Sequence, residues 1–389
     1  MRHHPLRGGA GAALLCAGLL TPGTGAAQMA ARDSGALVTL LGRDTLAAER
    51  WVRTPGRIEA EAVVRSPSTS YRRYTMELTP AGNMRRFEER WLNPAAPDAA
   101  PRRTEVIEAA AGGWTRRITE GDSTRSTRIE APANALPFID LVHWPFELVV
   151  RGGDGPRALL SGGRALAFNV ARGGDRVTVT HPMRGPSVFR VDGRGRVLGV
   201  DASATTRKVI SSRVARMDVR GAARRWAAAD AAGRGVGELS GRGSGDFTVG
   251  GARIVLDYGT PARRGRDIFG NIVPWGAVWR TGANRATHLS TTRDLVLGDP
   301  ATGLRVPAGE YTLFSIPQRD GGILIVNRQT GQNGTQHDAA RDLGRVPMRR
   351  VEVAAPTEQF TIRVVPEGAG GTLRLAWDRS EFVVPIVVR

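Results

Sequence analysis

The chain has 389 residues, of which 55 are basic and 37 acidic, giving a formal net charge of +18; 41% are hydrophobic and 24% charged. At roughly 100–200 residues per domain this length predicts two or three domains, and the composition is that of a folded chain rather than a disordered one. Nucleic acid is not the implied partner: Lys208 is the only lysine, so 54 of the 55 basic residues are arginine, and they run to Arg389 without a cluster or interleaved aromatics. Abundant Ala, Gly and Arg with almost no Lys reads as GC-rich codon usage, which makes the arginine count a poor guide to partners.

Residues 1–27 have the layout of a secretory signal peptide. Arg2, His3, His4 and Arg7 form a basic start, Gly11–Leu20 is a short apolar run, and Gly25-Ala26-Ala27 is a small-residue cleavage pattern. Cleavage near Ala27 predicts a periplasmic or secreted protein. Cys16, the only cysteine, falls in the removed segment, so the mature chain is expected to have no disulfide and no thiolate ligand. No later stretch reaches the roughly 18 consecutive apolar residues of a membrane span, so no transmembrane anchor is expected in the mature chain.

Residues 36–220 read as an N-terminal antiparallel β domain, a curved sheet with a short helical lid. In Arg57–Val64 the residues Ile58, Ala60, Ala62 and Val64 share one face, and Tyr74, Met76 and Leu78 alternate with polar neighbours. Period two with one apolar face marks half-buried strands. Turn residues such as Pro80-Ala81-Gly82-Asn83 and Asp192-Gly193-Arg194-Gly195 separate them. Asn134–Val150 differs: it is dense in large apolar residues and broken by Pro137 and Pro145, which predicts a lid with Phe138, Trp144 and Phe146 as plugs. An apolar ligand held under it requires a cavity lined by these three, Tyr74 and Met76.

Ala222–Ala232 predicts a short helix, and glycines follow from Gly233 to Gly245, so 221–245 is read as a flexible Ala/Gly-rich linker. Residues 246–389 return to short strands: Phe360, Ile362 and Val364 alternate with polar residues, as do Leu373, Leu375 and Trp377. The expected class is therefore all-β, the second domain a jelly-roll-like β-sandwich.

Catalytic motifs are missing. Ser244 fails the nucleophile-elbow frame, the single lysine has no glycine-rich phosphate loop before it, and Gly193, Gly195 and Gly199 miss dinucleotide spacing. His143, His181, His288 and His337 are too far apart in sequence to form a local metal pair, so no metal and no cofactor is expected. Chemistry concentrates instead in three stretches, 263–284, 307–317 and 327–338. They supply Arg266, Asn271, Trp275, Trp279, Arg280, Asn284, Tyr311, Asn327, Gln332 and Asn333. Aromatic faces beside amide and guanidinium donors suit a glycan or small polar ligand.

The stretch RGRDIFGNIVPWGAVWRTGAN, with LRVPAGEYTLFSIP, ILIVNRQTGQNGT and a late Trp-Asp, resembles family 2911 of the domains of unknown function, a group of exported bacterial proteins. The likeness runs from about Val255 to Val387 and is centred on Trp279-Arg280-Thr281-Gly282-Ala283-Asn284. Asn333 departs from it, standing where the family has a tryptophan. The resemblance implies an envelope context and a β-sandwich; it brings no reaction and no catalytic residues.

Three functions follow as expectations. The first is non-catalytic binding of an envelope ligand, a lipid or a glycan. The second is assembly with an envelope protein through exposed strand edges. The third is hydrolysis of an envelope polymer, for which Asp267, His288, Glu310 and His337 are the acid–base candidates.

Overall fold

The computed structural model describes residues 33–389; the basic start, Cys16 and the cleavage site near Ala27 lie outside the described residues. The protein is all-β, with two sheets and little helix. Among the described residues, no helix is long and apolar enough to cross a membrane.

The N-terminal sheet has fifteen strands. Eight of them, from Asp33–Leu41 to Ser123–Ile129, form one antiparallel meander, and those from Gly155–Ser161 to Ile210–Arg213 form another. The wings join where Ile210–Arg213 pairs with Asp33–Leu41, Val38 opposite Ser212. One apolar core holds both together: Ile58, Met76, Phe87 and Trp114 from the first wing meet Leu159, Phe168, Val177 and Phe189 from the second.

Arg57–Val64 is a strand with the expected bounds, and Ile58, Ala60, Ala62 and Val64 are buried as its alternation requires. The pattern breaks at Glu61 and Val63, which are buried as well. The cause is the helix Val219–Ala231, whose Val219, Ala222 and Ala223 pack on the outer face against Ala48, Val63, Tyr71 and Leu92. Glu61 is charge-compensated there by Arg50 and Arg220 and takes the Tyr71 hydroxyl proton in a hydrogen bond.

That helix therefore belongs to the N-terminal domain, and the passage 221–245 divides differently from the linker expected. The second sheet begins at Ser240, so Gly241, Gly243 and Gly245 lie within the strand Ser240–Val249. Close packing explains a glycine here better than flexibility does. A Cβ on Gly243 would stand 2.7 Å from the Tyr258 ring on the neighbouring strand.

The C-terminal sheet has nine strands. Its two longest, Asp342–Glu367 and Gly370–Val388, pair antiparallel and bend at irregularities near Glu352, Thr357 and Thr361. Strands Ser240–Val249 and Ala252–Pro261 pack against Asp342–Glu367, which is not their hydrogen-bonded neighbour, giving the sandwich-like closure. Phe360, Ile362, Val364, Leu373, Leu375 and Trp377 fill the interior, the alternation read from sequence.

Candidate functional site

The segment expected as a lid is present, with a four-residue helix, Phe146–Val149. Its side chains occupy the chamber they were expected to cover. Trp144 is fully buried with ring centroids 5.7 Å from Tyr74 and 6.4 Å from Phe87, and Phe146 stacks on Phe189 at 4.8 Å. Phe138 packs on Phe168 at 5.2 Å. The space left beside Phe138, Phe146 and His181 is about 50 Å³. That holds a water or two, at about 30 Å³ each, and no lipid chain.

The large opening lies between the domains. A cleft of about 800 Å³ is bounded on one side by Leu41, Pro67 and the turn Ala204–Lys208 of the N-terminal domain. The facing wall is built from residues 261–284 and from Phe314, His337 and Trp377 of the second domain.

The segment Trp279–Asn284 forms much of that wall and is fixed by backbone and side chain together. Trp279 N–H donates to Ser315 O at 2.7 Å and Ser315 N–H returns to Trp279 O at 2.9 Å. Thr281 donates its hydroxyl to Ser315 Oγ at 2.9 Å, and Thr287 donates to Thr281 O at 2.6 Å. Gly282 has φ 146° and lies against Gly259, where a Cβ on Gly259 would come within 2.0 Å of Ala283 O. Both glycines are needed for this close approach of backbones. The Trp279 ring lies parallel to Trp377 at 5.8 Å and edge-on to Phe360 at 5.0 Å, which locks its orientation.

Of the ten ligand residues expected from sequence, the fold brings Arg266, Trp279, Arg280 and Asn284 to the cleft. The other six sit elsewhere in structural roles. Tyr311 is buried with its hydroxyl donated to Pro307 O, and Asn327 is buried and donates to Asp338 O and Asp342 Oδ1. Gln332 reaches Thr312, Asn333 caps its own turn at Thr335, and Asn271 closes a turn on Ile268. Trp275 stacks on Phe269 at 5.5 Å, under the guanidiniums of Arg319 and Arg350.

Of the acid–base candidates, His337 lines the cleft with Nε2 2.8 Å from Asp342 Oδ1. His288 and Glu310 border a separate groove, where His288 accepts from Gly331 N–H, and the Asp267 side chain is 88% exposed. Among the described residues, no group of three or more His, Cys, Asp or Glu side chains is placed to hold a metal ion.

Sequence reasoning missed the N-terminal contribution. Arg207 and Lys208 line the cleft because the strands on either side of Ala204–Lys208 project that turn toward the second domain, and Arg184 joins them from the turn between Arg176–His181 and Gly185–Val191. The clue available was Lys208 itself, the one lysine in an arginine-rich chain.

Fold and site together define a two-domain all-β protein with a cleft at the domain junction. Residues 240–386 match the model of a family described as a protein of unknown function (DUF2911), the family resembled by the Trp279–Asn284 signature. The N-terminal domain has no family match, and no curated protein matches the chain. A crystal structure of a DUF1089 family protein from Pseudomonas aeruginosa is similar over 41% of this chain and 91% of its own, at 13% identity and a TM-score of 0.29. So distant a likeness carries no argument here.

Proposed function

We propose that this is an exported, non-catalytic binding protein of the bacterial envelope that holds a glycan-type ligand in the interdomain cleft. The observation carrying this reading is the cleft's lining, in which the partly exposed Trp279 ring, backed by the buried Trp377, lies with the Arg280 guanidinium and the Asn284 amide. Rings cover the apolar face of a sugar and planar donors bind its hydroxyls. The volume, about 800 Å³, is in the range of small-molecule sites. Export rests on the signal-peptide layout of residues 1–27. A lipid chain is a poorer occupant, since the N-terminal chamber is filled by Trp144 and its neighbours.

The test is native mass spectrometry of the mature chain, from Gln28 onward, purified from periplasm without detergent. An excess mass that disappears on denaturation, is identified as a glycan, and is lost in W279A supports the reading. A bare mass in the wild type overturns it and leaves assembly with an envelope protein as the function to pursue by cross-linking.

A further inference from the structure

Cations outnumber carboxylates on the lining of the cleft. Elsewhere carboxylates gather guanidiniums: Glu105 binds Arg103 and Arg116, Glu381 binds Arg363 and Arg374, and Asp98 binds three arginines. In the cleft, Arg184 and Arg207 share Asp140. Lys208, Arg266 and Arg280 form no ion pair among the described residues. Arg266 donates from Nε and Nη2 to the carbonyls of Arg263 and Ala262, two of its five N–H donors. Among the described residues Glu238 is the one carboxylate lining the cleft, and it is exposed.

All three unpaired cations are partly buried. Burial and the guanidiniums of Arg280 and Arg266 hold the Lys208 ammonium below its ordinary value, and burial alone lowers Arg280. Like charges gathered away from water are unfavourable unless an anion joins them. The backbone is strained at the same place. Lys208 has φ 58° and Asn284 φ 62°, both lining the cleft, and Thr281 between Arg280 and Gly282 has φ 52°. Left-handed non-glycine residues persist where the surrounding structure over-determines them, which is common at binding sites.

We propose that Lys208, Arg266 and Arg280 form an anion site, and that the ligand of the cleft is a sugar carrying an acidic oxygen group, a phosphate or a carboxylate. This rests on the cleft being the binding site. The acidic group would sit between the two domains, touching Lys208 from one and Arg280 from the other, with the sugar ring on Trp279. The general charge of +18 attracts anions everywhere. A site differs from that background in being saturable and in depending on particular residues.

The single lysine provides the measurement. Selective lysine labelling of the mature chain gives one side-chain NMR signal, that of Lys208, which is titrated with inorganic phosphate at constant ionic strength set by chloride. The expected result is a saturable shift with a Kd in the millimolar range or below, weakened at least tenfold in R280M. It should be unchanged in R125M/R176M, which removes two exposed guanidiniums from other strands. R280M should melt at the same or a higher temperature than the wild type without phosphate, because an unpaired, partly buried charge is gone; this separates lost binding from lost folding. A linear shift, or one that R280M leaves unaltered, overturns the anion site.

Glucose 1-phosphate and glucuronate, compared with neutral glucose, then decide between phosphate and carboxylate by which acid binds more tightly. The two proposals fail separately. A neutral glycan retained in the wild type, lost in W279A and kept in R280M, preserves the cleft reading and removes the anion site. Saturable phosphate binding in a protein that retains no glycan does the opposite.

Discussion

His181 ends the strand Arg176–His181 with its ring against Phe168 at 4.8 Å and Phe138 at 5.3 Å. Its Nδ1 accepts the Met183 N–H at 3.0 Å, so the neutral ring is the one that fits. Burial, followed by the nearby Arg184 guanidinium, lowers its pKa from the ordinary 6.5 to about 4. The unfolded chain therefore takes up the proton first as pH falls. The stability this ring contributes is complete above pH 6.5 and is lost between 6.5 and about 4. H181N keeps an acceptor near the Nδ1 position and removes the titration. Its urea midpoint should fall less than that of the wild type across this window; parallel curves would mean that another group carries the acid sensitivity. At this scale the sequence was informative about residue type and poor about role. Trp279 and Arg280 were legible as a local pair, since they are adjacent in the chain, and both line the cleft. Asn327 and Tyr311 were not, since a buried amide tying a loop and an amide binding a ligand look alike before the fold is known.

Among the elements, the segment Asn134–Val150 shows most clearly how a reading can be right locally and different in consequence. Its proline-broken apolar pattern predicted a short helix over the sheet, and the helix Phe146–Val149 is there. Whether it covers a ligand or plugs the core depends on Trp144 and Phe146 meeting Tyr74, Phe87 and Phe189, contacts that no local pattern encodes. The segment is pinned from the sheet. The buried Glu49 carboxylate accepts from His143 N–H at 2.8 and 3.0 Å and from Trp144 N–H at 2.9 Å, and Glu147 Oε1 accepts from Val197 N–H at 3.0 Å. E49A would leave two buried N–H groups without acceptors. Stranded donors cost about 1–3 kcal/mol each, so a loss of about 2–4 kcal/mol in urea unfolding is expected. Amide exchange should quicken at 143–149 before it does in Arg57–Val64; uniform quickening would show that the segment has no separate anchorage. The linker region carries the same lesson. A glycine at 243 signals both flexibility and close packing, and only the position of Tyr258 and Thr260 on the next strand decides between them.

At the scale of the whole molecule, the cleft exists only while the domains keep their positions, and a few polar contacts hold them. Arg264 is central. It is buried, pairs with Asp44 at 2.6 Å, donates to the carbonyls of Val236 and Glu238, and its own carbonyl accepts from Arg43 N–H at 3.1 Å. Gly42 makes room for this docking, since a Cβ there would come within 2.2 Å of Arg264 O. A glycine-rich passage between two runs of strand signals was readable from the sequence; the junction was not, because it joins residues 41–67 and 184–208 to residues 261–284. Interdomain contacts of this polar kind normally permit relative motion, so removing the central one should uncouple the halves. R264A strands Asp44 and opens the Val236 and Glu238 carbonyls, costing about 2–3 kcal/mol, less than the 3–5 kcal/mol of a fully buried pair because Asp44 is partly exposed. Calorimetry should then resolve the wild-type unfolding into two transitions, one for each sheet, with any cleft ligand lost before either melts. A single transition shifted as a whole would mean that the apolar contacts of Val236 and Leu239 with the N-terminal core couple the domains, and that Arg264 only orients the cleft wall.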